Sequence, residues 1–142
     1  MNKTLVVGLV VVVSIGAYLF VAGGGLKVDY SSATLIFEKS SGWGPCESGD
    51  ECGQHIYLYS NGVFVVEGKD AGEKNIGAEN VERFVEAIRN SGVIGKECEG
   101  GQVIDVSTTY KIYLDSTITT IKFPGCDEEL TEVDEMLNEF EK

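Results

Sequence analysis

The sequence predicts an α+β protein in which an N-terminal transmembrane helix precedes a two-layer domain, an antiparallel sheet with two helices on one face. Three observations support this prediction. A long uncharged apolar run lies near the N-terminus, two hairpin patterns recur along the rest of the chain, and each hairpin pattern is followed by an amphipathic helix pattern. A helix with one apolar stripe must bury that stripe against another element, and the sheet is the available surface.

Residues 5–22, LVVGLVVVVSIGAYLFVA, contain no charged side chain. Eighteen helical residues extend roughly 27 Å, which is enough to cross the hydrocarbon core of a bilayer. We expect a single-pass membrane anchor with the N-terminus and Lys3 in the cytoplasm. A cleaved signal peptide is the alternative, because the small residues at 21–24 offer a cleavage site.

This topology divides the chain into two parts. Residues 1–25 form the cytoplasmic start, the anchor and a Gly linker, and residues 26–142 form an extracytoplasmic α/β domain. That domain is strongly acidic, because all 23 Asp and Glu fall within it against ten Lys and Arg, giving 10 − 23 = −13. Such a surface repels phosphate backbones, so we expect no nucleic-acid partner. The expected contact with the membrane is made through residues 5–22.

Alternating apolar residues predict the first strand and a hairpin. ATLIFEK at 33–39 has the period of a strand. Asn61-Gly62 between two β-rich runs is a strong signal for a two-residue turn, because both residues tolerate a positive φ. That turn would place Tyr59 opposite Phe64.

A second hairpin is predicted with its turn at Ser116-Thr117. One face of this hairpin is then largely apolar and consists of Tyr110, Ile112, Leu114, Thr119, Ile121 and Phe123. The segments IYLYS (56–60) and IYLDS (112–116) each open a hairpin that runs into a helix, a pattern consistent with a ββα duplication.

Two amphipathic helices are predicted. The stripe of the first consists of Val81, Phe84, Val85 and Ile88, and the stripe of the second consists of Leu130, Val133, Leu137 and Phe140. Gly92 stands at the position of a left-handed C-cap. Asp127 is the expected N-cap of the second helix.

Four cysteines fall in the extracytoplasmic part, where an even number favours disulfides. Cys46 and Cys52 are close in sequence and would pair locally, which leaves Cys98 to pair with Cys126. Two alternatives involve the stretch GWGPCESGDECGQH (42–55). A Cys/His metal site could use its cysteines and His55, and a redox dithiol is the other alternative, although the Cys-x-x-Cys spacing is absent.

Pleat alternation predicts a candidate binding face on the side of the sheet away from the helices. Tyr57, Tyr59, Phe64 and Tyr113 are its expected aromatic residues, with Val66 and Ile118 beside them. Such aromatic patches often mark interaction sites. The alternative is that the sheet curls, or that residues 26–50 fold across this row and bury it.

Four features follow one another in the C-terminal part of the chain: VIDVSTT (103–109), a hairpin, FPG (123–125) and a closing helix. In these features the chain resembles a domain-of-unknown-function family of exported bacterial proteins (family 6438). Further shared features are the cysteine pair, Tyr57, Asn61-Gly62 and Glu67-Gly68. The likeness covers about residues 33–141. This chain has a wider cysteine spacing and lacks a proline after the second cysteine, so the geometry of that loop cannot be carried over. The family has no assigned activity, and the resemblance therefore implies fold and export only.

No catalytic frame such as G-x-S-x-G accompanies His55, the only histidine, and no Walker pattern is present. The sequence therefore predicts no catalytic residues, no metal and no cofactor. We expect a non-enzymatic, membrane-anchored binding or structural module. The alternatives are a cell-envelope enzyme with a Cys/His metal site, and an inhibitor-like or assembly subunit that binds another envelope protein.

Overall fold

The computed structural model describes residues 32–45, 52–101 and 106–142, which contain six strands and two helices. The strands are β1 (Leu35–Trp43), β2 (Gly53–Tyr59), β3 (Val63–Gly68), β4 (Gly72–Asn75), β5 (Val106–Leu114) and β6 (Thr117–Lys122). The helices are α1 (Ala78–Ser91) and α2 (Asp127–Glu141). The expected α+β class is confirmed.

All six strands form one antiparallel sheet in the order β4-β3-β2-β1-β5-β6. β1 is therefore central, with one hairpin on each side of it. Each hairpin leads into a helix, as predicted, but the first half also contains β4, an edge strand of four exposed residues. The ββα duplication remains a prediction.

The core lies between one face of the sheet and the two helices. Phe37 of β1 contacts Phe84 of α1 with ring centroids 5.0 Å apart, and Phe64 of β3 contacts Phe140 of α2 at 5.8 Å. Phe84 and Phe140 also contact each other at 5.9 Å. Both helices thus bury their apolar stripes against the same sheet face. The predicted stripes are confirmed except at Val85, which is only partly buried, while Ala87 is buried.

The first hairpin differs from its predicted register by one residue. Leu58 pairs with Phe64, because three residues, 60–62, connect the strands rather than two. Since paired residues point to the same side, a shift of one residue sends every side chain of β3 to the opposite face. Phe64, predicted on the binding face, is instead 1% exposed in the core, and Val66 is also buried.

The second hairpin keeps its predicted faces although its turn lies one residue earlier. Asp115 and Ser116 occupy the turn with φ of 52° and 61°, and Leu114 pairs with Thr117. The observed register therefore differs from the predicted register by two residues, and a shift of two residues keeps every side chain on its predicted face. The expected inner residues are buried except for Phe123, which lies beyond the end of β6 and is 37% exposed.

The ends of the helices are partly as predicted. Gly92 adopts the left-handed conformation after α1, and its N–H bonds to the carbonyl of Arg89. Cys126, not Asp127, occupies the N-cap position of α2, so Asp127 is the first helical residue. The predicted pairing of Cys98 with Cys126 is confirmed, with Cα atoms 5.5 Å apart.

Two predictions fall on parts of the chain that are not described. The expected membrane span, residues 5–22, lies outside the described residues, and so does Cys46. Within the described residues, neither helix has the length and apolar character needed to cross a bilayer. Cys52 is engaged in a disulfide, and its pairing with Cys46 remains a prediction.

Candidate binding face

The side of the sheet opposite the helices, called the outer face here, is not covered by any of the described helices or strands. Strand pairing aligns one residue from every strand in a row across its middle. From β4 to β6 this row reads Glu73, Val65, Tyr57, Glu38, Lys111 and Thr120. It places a cross-strand ion pair at the centre, on β1 and β5.

Three of the four predicted aromatic residues lie on the outer face. Tyr57 and Tyr113 alternate with buried neighbours, and Tyr59 lies at the end of β2. Phe64 does not belong to this face, because the three-residue hairpin loop turns it inward. Ile118 pairs with Tyr113 and is 65% exposed, which makes it the most exposed large apolar side chain in the described part of the chain.

Glu38 is the most enclosed acid of the outer face, with its side chain only 15% exposed. Lys111 Nζ donates to one of its carboxylate oxygens at 3.0 Å, and the Tyr113 hydroxyl donates to the other at 3.0 Å. Burial alone would raise the pKa of Glu38, but these two hydrogen bonds and the charge of Lys111 outweigh it and lower the pKa. Glu38 is therefore an ionised carboxylate with a partner for each oxygen.

The tyrosines around Glu38 are held in their neutral form. Burial, then the negative charges of Glu67 and Glu38, raise the pKa of Tyr57. Burial and the hydrogen bond to Glu38 raise the pKa of Tyr113. Both phenols are thus hydrogen-bond donors at physiological pH, and neither is suited to act as a nucleophile or a base.

A second row contains Glu67, His55 and Ser40 on three adjacent strands. Ser40 Oγ and His55 Nδ1 are 2.9 Å apart and share a hydrogen bond. The residue types are those of a hydrolase triad, but such a site also needs backbone N–H donors for the oxyanion. Ser40 lies in the middle of the central strand, which pairs on both sides. We interpret this row as a cross-strand polar network.

The structure gives little support to a Cys/His metal site. His55 is exposed and stacks on Tyr57 with ring centroids 6.3 Å apart, and a disulfide-bonded Cys52 supplies no thiolate. Among the described residues, no three His, Cys, Asp or Glu side chains are grouped closely enough to hold a metal ion. The other cysteine of that hypothesis, Cys46, lies outside the described residues.

Charge is distributed unequally between the two layers of the domain. Helix α2 carries eight acidic residues and no basic residue between its first and last positions. The outer face has three acids on its strands, Glu38, Glu67 and Glu73, and two bases, Lys111 and Lys122. The helix layer is therefore strongly negative, whereas the outer face is nearly neutral.

A cavity of about 640 Å³ opens at one end of β5 and β6. Thr108 and Thr120 contribute hydroxyl groups to its wall, Lys122 a charge, and Phe123 an apolar surface. Residues 102–105, between Gly101 and β5 in the sequence, lie outside the described residues. We assign the cavity no role.

The ion pair of Glu38 and Lys111 is the main feature of the face that sequence reasoning missed. The two residues are 73 positions apart and meet only because β1 and β5 are neighbours. The available signal was that Glu38 and Lys111 each lie within an alternating strand pattern. That signal does not specify which strands pair.

Comparison with known proteins identified no family. No protein-family model matches the chain, and no curated protein matches it. The resemblance to a family of exported bacterial proteins therefore remains an expectation.

Proposed function

We propose that residues 26–142 form a non-enzymatic extracytoplasmic binding module, held at the membrane by residues 5–22, that recognises a protein through the outer face of its sheet. The observation that carries this proposal is the combination of Tyr57, Tyr59 and Tyr113 with exposed Ile118 on a face that no described element covers. Tyrosine is enriched at protein interfaces because it combines apolar area with a hydroxyl donor.

The polar groups of this face support a binding role rather than a catalytic one. Both oxygens of Glu38 already accept hydrogen bonds, one from Lys111 and one from Tyr113. The carboxylate is therefore engaged within the chain and is poorly placed to bind or activate a substrate. A partner can cover this ion pair without leaving an unpaired charge, which would otherwise cost several kcal/mol. The face is thus suited to close contact with another protein surface.

The disulfide between Cys98 and Cys126 supports the extracytoplasmic location, because such bonds persist in oxidising compartments. It connects the loop after α1 to the start of α2 and so holds the helix layer behind the sheet. A rigid layer behind the outer face lowers the entropy cost of binding through that face.

A cross-linked pull-down from native membranes tests the proposal. The full chain with Tyr59→Ser and Ile118→Ser should recover much less partner than the natural chain, because both substitutions remove apolar area from the outer face. Asn90→Ser, on the exposed side of α1, is the matched control and should recover the natural amount. Equal recovery by all three chains, with folding confirmed by circular dichroism, would refute binding through the outer face.

A further inference from the structure

We infer that the partner of the outer face is a second copy of this chain, so that two sheets pack face to face about a twofold axis. This inference rests on the proposed function, since it names the partner of the same surface. Three properties support it: the charge of the two layers, the pairing of Glu38 within the chain, and the area of the sheet.

Charge restricts where two copies can meet. Each extracytoplasmic part carries a formal charge of −13, from ten bases and 23 acids, and eight of the acids lie on α2. Packed sheets lie about 10 Å apart with each helix layer behind its own sheet, so the two α2 helices would be separated by well over the ~8 Å Debye length at physiological salt. Contact through the outer faces therefore minimises repulsion between copies.

The ion pair at the centre of the outer face needs no charge from a partner. Lys111 and Tyr113 satisfy both oxygens of Glu38 within the chain. A strongly basic partner would instead be attracted to the helix layer, where α2 has acids without bases. The surface that fits the outer face is a nearly neutral one that contains tyrosine, and the same face of a second copy has that composition.

The area is sufficient for a weak but specific dimer. Six strands spaced about 4.8 Å apart, with some six residues of about 3.3 Å each, give a face of roughly 550 Å². Two such faces would bury at most about 1,100 Å² in total, which is in the range of weak interfaces. Packing of two twisted sheets at about −30° is a common arrangement of this kind.

The test uses the full chain in native membranes with a photo-crosslinking amino acid, benzoylphenylalanine, at Thr120. This residue is exposed on the outer face beside Lys111. Two differently tagged copies are expressed together and irradiated. We expect a product of twice the chain mass that carries both tags. The same amino acid at Asn90, on the opposite layer, should give no such product.

A second variant measures specificity. Ile118→Glu places a like charge in the interface from both copies, and we expect the yield of the doubly tagged product to fall about tenfold, the change that corresponds to loss of one important interface side chain. Asn90→Glu adds the same charge to the helix layer and should leave the yield unchanged. Ile118 is largely exposed, so its substitution should leave the fold intact.

The outcomes separate this inference from the proposed function. A cross-link from Thr120 only to a different protein would overturn the dimer and leave the binding face in place. A cross-link from Thr120 to its own chain at single mass would show that another segment of the chain covers the face, and both proposals would fail. Absence of any product at Thr120 would overturn both as well.

Discussion

Lys39 Nζ lies 2.8 Å from Asp134 Oδ1 and so joins the central strand of the sheet to helix α2. The other carboxylate oxygen of Asp134 accepts a hydrogen bond of 2.8 Å from the hydroxyl of Tyr110 on β5. Tyr110 is buried, and burial together with the charge of Asp134 raises its pKa strongly. One carboxylate therefore ties two strands and a helix together at the inner face of the sheet.

Asp134→Ala should lower the free energy of unfolding by about 2 kcal/mol, because it leaves the hydroxyl of buried Tyr110 without its charged acceptor. Urea denaturation of the disulfide-intact protein measures the change. Arg89→Ala removes an exposed ion pair with Asp115 of similar length, 2.9 Å, and should cost less than about 1 kcal/mol. Equal losses for the two variants would contradict the structural role of Asp134.

The pKa of Glu38 should respond to its hydrogen-bond partners. Tyr113→Phe removes one donor, and we expect the pKa to rise from its lowered value toward 4.5, its ordinary value. Carbon-13 NMR of the glutamate carboxyl groups as a function of pH measures this shift. Thr120→Val changes a residue of the same row on β6, on the far side of Lys111 from Glu38, and should leave the pKa of Glu38 unchanged.

The same lowered pKa predicts how stability depends on pH. A carboxyl group whose pKa is lower in the folded state stabilises the protein fully above its unfolded-state value, and this contribution is lost as the pH falls through the folded-state value. The difference in unfolding free energy between the natural chain and Glu38→Gln should therefore be constant near neutral pH and shrink below about pH 4.5. A difference that grew on acidification would contradict the sign of the shift.

Substitutions on β3 and β6 should distinguish the core from the outer face. Phe64→Ala should lower the unfolding free energy by about 3–5 kcal/mol, as expected for a large side chain removed from a core. Ile118→Ala removes an exposed side chain and should cost less than about 1 kcal/mol. Thermal or urea unfolding measures both changes. A small effect of Phe64→Ala would contradict the three-residue loop and favour the predicted two-residue turn.

Removal of the disulfide should destabilise the fold without changing its architecture. Cys98 and Cys126 are 28 residues apart, and the chain-entropy model gives about 3–4 kcal/mol for a loop of this length. The double substitution Cys98→Ser and Cys126→Ser should lose this amount in urea denaturation. Non-reducing peptide mapping of the natural chain should recover the linked pair, and a Cys46 linked to Cys98 would refute it.

Local patterns were sufficient to predict most of the secondary structure. The stripes of α1 and α2 follow from the helical period, and Gly92 marks the end of α1 because a left-handed residue is needed there. β4 was missed, because GEKN at an exposed edge has no apolar alternation. Apolar and polar residues alternate along a strand when one side of it is buried. Because β4 has no buried side, its sequence shows no alternation.

The candidate face was predicted only in part, and the reason is the register of the first hairpin. Asn61-Gly62 predicted a turn correctly but not the number of residues in it. Gly62 has a φ of 86°, and its N–H bonds to the carbonyl of Tyr59, which closes a three-residue loop. Alternation along β3 could not decide between the two registers, because VFVVEG places apolar residues on both faces.

The three-residue loop at 60–62 has a consequence for how this chain can diverge. Substitutions within the loop alter a turn, but deletion of one loop residue would exchange the two faces of β3, moving Val65 and Glu67 toward the helices and Phe64 outward. The fold therefore depends on the spacing between Leu58 and Phe64 as well as on Gly62, whose φ of 86° disfavours any other residue at that position. Homologues too distant to recognise by residue identity should still share this interval, and a search that scores spacing between buried positions is suited to finding them.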